Sequence, residues 1–299
     1  PTRIDLAQSR GYILAEDAAS DCDIPPFNKS SMDGYACRSA DAFGPLRVLE
    51  HIPAGRVPTM AITPGTCSKI MTGAPVPEGA DAILIADPHT VRFTGAQPRP
   101  NFCPQGEDIR RGDTVLRAGT RLRTAHLPAL ASIGCSQPLV ATPPRVAIMA
   151  TGDELVPYNA TPPPGKIRNS NSLQIESLAQ NAGARVHNLG IIPDDRDTMV
   201  AAWDDALNDN DVILSTGGVS MGDYDLVPEI LAHHGFKIHF DRVAIQPGKP
   251  VLFGTRGDKA CFGLSGNPVS SFLQFFLFVR PFLDGLQGRT DRDPVLQLP

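Results

Sequence analysis

The chain has 299 residues, 41% hydrophobic and 20% charged, ordinary values for a globular protein with a substantial core and enough length for about two domains. A formal net charge of -5 weighs against a broad nucleic-acid surface, since tracking a phosphate backbone needs an excess of basic residues. The six cysteines (Cys22, Cys37, Cys67, Cys103, Cys135, Cys261) show no CxxC pair and no clustering with histidine. They point away from zinc or iron-sulfur ligation and toward small buried residues in a reducing compartment. No uncharged apolar run reaches the roughly 18 residues of a membrane span and no signal-peptide pattern opens the chain, so the expectation is cytoplasmic, with no membrane and no nucleic-acid partner.

In chain order, IDLAQSRGYILAED (residues 4–17) predicts a helix. From about Asp21 to Asp113 the chain is dense in Pro and Gly. Its short apolar or alternating runs, RVLEHIPAG, CSKIMTGAPVP, AILIAD and HTVRF, predict a mostly β region. TAHLPALASIG (residues 124–134) predicts a second helix, with Thr124 as its cap and Gly134 as its stop. Two helical pieces flanking a β segment suggest one small helical domain from residues 1–20 and 114–142, with residues 21–113 inserted into it.

The texture changes near Thr142-Pro143-Pro144. RVAIMAT, ARVHNLGII, DVILST, KPVLFGT and ACFGLSG read as strands. SLQIESLAQNAG, DTMVAAWDDALND, LVPEILAHHG and PVSSFLQFFLFVRPFLDGL read as helices. Apolar strands alternating with amphipathic helices predict a mostly parallel sheet covered on both faces, over residues 143–290. In such sheets ligands bind at the carboxyl ends of the strands, where TGDEL, GIIPDD, STGGVSMGDYD and GLSGNP all fall.

In STGGVSMGDYD (residues 215–225), the adjacent Gly217 and Gly218 let backbone N–H groups approach an anion, and Ser215, Thr216 and Ser220 add hydroxyls. Asp223 and Asp225 repel a bare phosphate unless a metal or a pterin-like donor lies between. Asp153 and Glu154 of TGDEL, with the acids of IPDDRD (residues 192–197), add carboxylates suited to a divalent metal shared with phosphate oxygens; acids at helix starts equally serve as caps. Lys249 of PGKP sits in restricted backbone that favours an anion contact. Asn267 and Pro268 of NPVSS open an apolar helix, whose first N–H groups suit a cap or a phosphate. In the β region, Asp33 precedes a glycine in SSMDGYA and Thr72 occupies a turn in KIMTGAPVP; a generic hairpin turn explains either alone. No spacing matches a hydrolase elbow, Walker loop or kinase loop, so the residues by themselves reach an α/β anion site with acids.

The motifs SSMDGYA, KIMTGAPVPEGADAI, GEDIRRGD, LPALASIG, ATGDELV, GKIRNSNS, LGIIPDD, STGGVSMGDYD, VAIQPGKP and GLSGNPVSSF, in this order, resemble the molybdopterin molybdenumtransferase family. Bacterial MoeA and the E domains of gephyrin and its plant counterpart belong to it, and the resemblance runs over essentially the whole chain. It implies a homodimeric transferase of molybdenum cofactor synthesis that takes adenylylated molybdopterin and molybdate, releases AMP and leaves molybdenum on the dithiolene, with Mg2+ assisting. The adenylyltransferase and acceptor molybdoenzymes are implied as further partners. The implied architecture is an α/β multidomain chain: a small helical domain from two segments, an inserted β domain and a three-layer α/β/α domain. A C-terminal β-barrel-like domain would start at residues 291–299. The site is implied to lie between the inserted domain of one subunit and the later domains of the other.

By motif, Asp33 and Thr72 are expected from the β domain, and Glu154, Asp194 and Asp225 from the α/β loops, with Glu154 and Asp225 as metal ligands. Gly217, Gly218 and Ser220 are expected to contact the pterin nucleotide. Lys249 and Arg242 would balance phosphate charge, and Asn267 and Pro268 would shape the opposite wall. Three positions depart from the family pattern: Cys103 in NFCPQGED replaces an arginine, Gln246 a lysine, and Ser265 a proline. Two lost positive charges weaken phosphate binding, with Arg110 and Arg111 as available compensation. They motivate an alternative expectation, a molybdopterin-binding or scaffolding relative without turnover. The cradle and acids alone also fit a hydrolase of another pyrophosphate.

Overall fold

The computed structural model describes residues 1–85, 97–218 and 226–290. The chain divides into two compact units: Pro1–Glu16, Arg117–Leu127 and Gln137–Pro299 form one, Asp17–Leu116 and Pro128–Ser136 the other.

In the unit containing residues 17–116, four strands make the main sheet: Gly34–Cys37 (β1), Arg47–Ile52 (β2), Thr66–Ile70 (β3) and Ala82–Leu84 (β4), in the spatial order β2-β3-β1-β4. β1 runs antiparallel to β3 and β4, while β2 and β3 are parallel. Neighbouring residues enter different clusters, as a period of two requires: Ala36, Ile70 and Ile83 pack with Ile52, whereas Cys37, Cys67 and Leu84 pack with Ala42. HTVRF lies outside the described residues. The helix His126–Ser132 (α1) ends as its sequence predicts. Gly134 takes φ 83°, and Cys135 N–H reaches back to the Leu130 carbonyl at 2.9 Å.

The helix expected over residues 4–17 is not formed. Leu6–Gln8 make a single 3-10 turn, capped by Asp5, whose Oδ1 accepts from Ala7 N–H at 2.8 Å. Gly11 then turns at φ 94°, and Ile13 and Leu14 join β-bridges to Arg121 and Val140. Their side chains are buried there, so the apolar residues that suggested a helix face serve a short ladder instead.

The other unit is built on a six-stranded sheet. Its strands are Arg145–Thr151 (β5), Arg185–Ile192 (β6), Val212–Thr216 (β7), Lys237–Arg242 (β8), Pro250–Arg256 (β9) and Lys259–Leu264 (β10), in the order β6-β5-β7-β10-β9-β8. The first four are mutually parallel; β9 and β8 each reverse direction on their neighbour. β8, KIHFDR, was missed in the sequence because charged residues dominate this edge strand.

Helices Asn171–Asn181 (α2), Arg196–Asp209 (α3), Val227–His233 (α4), Pro268–Gln274 (α5) and Arg280–Leu286 (α6) cover both faces. Ala147, Met149 and Ile213 pack with Met199, Trp203 and Ile230 of α3 and α4. Val146, Ile148, Val212 and Leu214 pack with Ile175, Phe275, Val279 and Leu283 on the opposite side. Each large side chain fully buried this way contributes about 1.5–3 kcal/mol. A π-helical turn, Phe275–Val279, joins α5 to α6 ahead of Pro281, which has no N–H for a helical bond. The stretch Pro268–Leu286 is long and apolar enough to cross a membrane by length and composition; Phe275, Val279 and Leu283 on it are buried in the core.

Candidate functional site

The strand order places β6 and β7 on opposite sides of β5, so the chain switches direction across the sheet between β5 and β7. A crevice opens at such a switch, at the carboxyl ends of the strands. Here those ends are Thr151 and Thr216, adjacent in register through Ala150 and Thr216. Gly217 follows at φ 88°, and a Cβ on it would lie 2.4 Å from the Thr151 carbonyl oxygen. Only glycine lets the backbone turn that close to β5.

A narrow cleft of about 80 Å³ lies at this point. Its lining brings together the expected Glu154, Gly217 and Pro268 with Thr151, Asn171 and Gly266. Gly218 adjoins it: a Cβ there would meet Thr151 Oγ1 at 2.8 Å. A larger pocket of about 810 Å³ shares Leu155 and Asn169 with the cleft and is bounded further by Tyr158, Leu173, Glu176 and Asn188.

Beside the cleft, Asp153 and Asp194 exchange hydrogen bonds. Asp153 N–H donates to Asp194 Oδ2 at 3.2 Å, and Asp194 N–H to Asp153 Oδ1 at 3.4 Å. The Asp194 carboxylate therefore braces one loop against another, while Glu154 is exposed. Asn267 Oδ1 accepts from the backbone N–H groups of Val269 (3.0 Å) and Ser270 (3.1 Å), so it caps α5, and Pro268 occupies the first turn.

Arg242 and Lys249 stand at the two ends of the loop joining β8 to β9, where Val243 N–H donates to the Lys249 carbonyl at 2.9 Å. Arg242 Nε donates to the neighbouring Asp241 at 3.1 Å, a hydrogen bond that holds the Asp241 carboxyl below its usual range and raises Arg242. Part of the guanidinium charge is thus answered locally. Lys249 is exposed.

One side chain that sequence reasoning missed ties these loops together. Gln274 of α5 is fully buried; its Nε2 donates to the carbonyls of Gly248 (2.8 Å) and Pro250 (2.7 Å), and its Oε1 accepts from Ser265 N–H (2.8 Å). It fixes the Lys249 loop against the loop leading to Asn267. The only sequence signal was a polar residue inside the apolar run SFLQFFLF. Ser265 itself, a departure from the family pattern, supplies that N–H, and its hydroxyl accepts from Asn267 N–H at 3.2 Å. A proline there has no such N–H.

In the other unit, Asp33 precedes β1 and Thr72 follows β3, and they meet at the same sheet end because Gly34 and Ile70 are partners. Gly34 is obligatory, since a Cβ on it would lie 2.3 Å from the Leu84 carbonyl oxygen. Ser220 and Asp225 lie outside the described residues. Among the described residues, no group of three or more His, Cys, Asp or Glu side chains gathers as a metal site.

This geometry defines an α/β ligand-binding domain with its cleft at a topological switch point. Residues 147–285 match the family model of a probable molybdopterin-binding domain, and residues 1–134 match that of the MoeA N-terminal region, domains I and II. A molybdopterin molybdenumtransferase of Staphylococcus epidermidis is 38% identical over 298 residues, covering 95% of this chain and 71% of the relative. One from Staphylococcus aureus is 36% identical over 305 residues, covering 97% and 73%. Crystal structures of the molybdopterin biosynthesis MoeA protein of Pyrococcus horikoshii superpose with TM-scores of 0.84 and 0.81 at 30% and 31% identity, covering 96–97% of this chain and 75% of theirs. The chain belongs to the molybdopterin molybdenumtransferases, transferases of molybdenum cofactor biosynthesis.

Proposed function

We propose that the chain inserts molybdate into adenylylated molybdopterin with release of AMP, acting in the cytoplasm as a homodimer. The observation that carries this reading is the cleft at Thr151 and Thr216, which gathers Glu154, Gly217 and Pro268 at one strand switch. Cleaving the phosphoanhydride consumes one water and leaves the AMP phosphate with an added oxygen, so negative charge accumulates near the Lys249 loop. Gln274 holds that loop in place, and Gly217 and Gly218 let the nucleotide approach the backbone. Ser220 and Asp225 complete this set by motif, and Asp33, Thr72 and Asp194 shape it. Arg242 contributes its charge together with Asp241.

Mg2+ commonly binds through one or two carboxylates and substrate phosphates while keeping several waters, and an exposed Glu154 at the cleft fits such sparse ligation, with Asp225 as the second carboxylate. When bound, the ion supplies neutralisation of pyrophosphate charge. The homodimer reading is supported by the exposed apolar residues Val269, Phe272, Leu273, Phe276 and Leu277 along α5 and the π turn. The adenylyltransferase that delivers the nucleotide and the molybdoenzymes that accept the product are the proposed further partners.

Incubating the protein with adenylylated molybdopterin and Mg2+, with and without molybdate, tests the reaction. AMP release that requires molybdate is expected. Tight binding with no release would leave the scaffolding alternative, and no binding would end both readings.

A further inference from the structure

Two polar atoms on the cleft wall are buried with no hydrogen-bond partner: Thr151 Oγ1, at the end of β5, and Asn171 Oδ1, in the first turn of α2. Native proteins rarely leave such atoms unpaired, and an orphan that lines a cleft signals a missing partner. The orientation of the Asn171 amide is fixed, because its Nδ2 donates to the Gly266 carbonyl at 2.8 Å. The free end is therefore the oxygen. A carbonyl oxygen carries no proton, so it turns away phosphate and molybdate oxygens and requires a donor. The Thr151 hydroxyl beside the same cleft serves as donor or acceptor, and Gly217 and Gly218 leave it uncovered, since a Cβ on either would stand within 3.3 Å of it.

An acceptor paired with a hydroxyl matches the edge of a nitrogen heterocycle in which an N–H adjoins a carbonyl or ring nitrogen. The cleft of about 80 Å³ admits such an edge but not a whole bicyclic ring. The adjoining pocket of about 810 Å³, which shares Leu155 and Asn169, has room for the rest of the ligand. We infer that Asn171 and Thr151 form a subsite that reads the N–H edge of the substrate's heterocycle, separate from the groups that meet its phosphates. Both the pterin and the adenine of the proposed substrate carry such an edge, so the inference rests on that substrate assignment but not on turnover.

The test is titration of pterin and, separately, of AMP into the wild-type protein and into Thr151→Val and Thr151→Ser, with thermal unfolding of each. Valine keeps the shape and removes the orphaned hydroxyl. Its melting temperature is expected to be unchanged or higher, while affinity for one of the two probes falls about tenfold, the equivalent of one hydrogen bond. Serine is expected to retain that affinity. Selective loss for pterin assigns the subsite to the pterin ring, and selective loss for AMP assigns it to adenine. No loss for either probe, equal loss for both accompanied by a lower melting temperature, or no binding of either by the wild type overturns the inference. Selective loss in a protein that shows no molybdate-dependent AMP release would sink the proposed reaction and leave the subsite standing.

Discussion

Asp33 Oδ1 accepts two hydrogen bonds from one residue, the backbone N–H and the hydroxyl of Thr72, each at 2.7 Å. The backbone N–H is the larger cause, the hydroxyl the second and the nearby Lys69 charge a smaller one in holding the Asp33 carboxyl below its usual range. A lowered folded-state pKa means that this contact favours the folded chain above the unfolded carboxylate value of about 3.9, and that the advantage is lost as pH falls through the folded value. Thr72→Val removes only the hydroxyl. The Asp33 midpoint, followed by carboxyl NMR, is expected to rise part of the way toward its ordinary value; an unmoved midpoint would mean the hydroxyl does not hold the carboxylate.

Gly217 and Gly266 line the same cleft but differ in what surrounds them. A methyl on Gly217 meets the Thr151 carbonyl at 2.4 Å and forces a left-handed residue, whereas the nearest atom to a methyl on Gly266 is 3.9 Å away. Gly217→Ala is expected to cost about 2 kcal/mol or more in urea unfolding, from strain of about 1–3 kcal/mol plus a backbone shift. Gly266→Ala is expected to stay within about 0.5 kcal/mol of wild type. Equal costs would show that β5 and the turn after β7 are not in contact.

Gln274→Leu strands three backbone groups at once: the Ser265 N–H and the carbonyls of Gly248 and Pro250. At about 1–3 kcal/mol for each buried group left unpaired, less what water recovers, a loss of about 3 kcal/mol is expected. Ser265→Pro deletes one partner of the same amide. The double variant is expected to lose clearly less than the sum of the singles, because both changes break one shared bond. Strict additivity would contradict the bridging role.

Glu154→Ala and Asp225→Ala are each expected to lower molybdate-dependent AMP release by about 100-fold, the usual scale for removing one electrostatic contact to a reacting group. Melting temperature is expected to change little for Glu154→Ala, since Glu154 is exposed. Unchanged release would remove both acids from the reaction.

The layered unit was legible from residue order because its strands are short apolar runs that bury both faces, as Ala147 and Ile148 do in separate clusters. Residues 4–17 misled because the apolar spacing of Ile13 and Leu14 also satisfies a two-residue ladder, and Gly11 stops a helix only in a context that Arg121 and Val140 supply. Glu154, Gly217 and Pro268 were found because strand ends announce themselves by apolar runs meeting glycine or proline. Asn171 was not, because its free oxygen follows from a bond to Gly266, 95 positions away. Gln274 escaped for the same reason, as did the meeting of Asp33 with Thr72, two turn residues 39 positions apart.

The three bonds of Gln274 also limit how this sequence can drift. A proline at position 265 frees its oxygen, and a different path through Gly248 and Pro250 frees its nitrogen, so neither loop changes its backbone without altering what residue 274 must be. Among variants of this chain that keep the fold, positions 265 and 274 are expected to change together, and a proline at 265 is expected to sit with a residue at 274 that asks for no backbone donor. The serine that first reads as a departure is then one half of a matched pair.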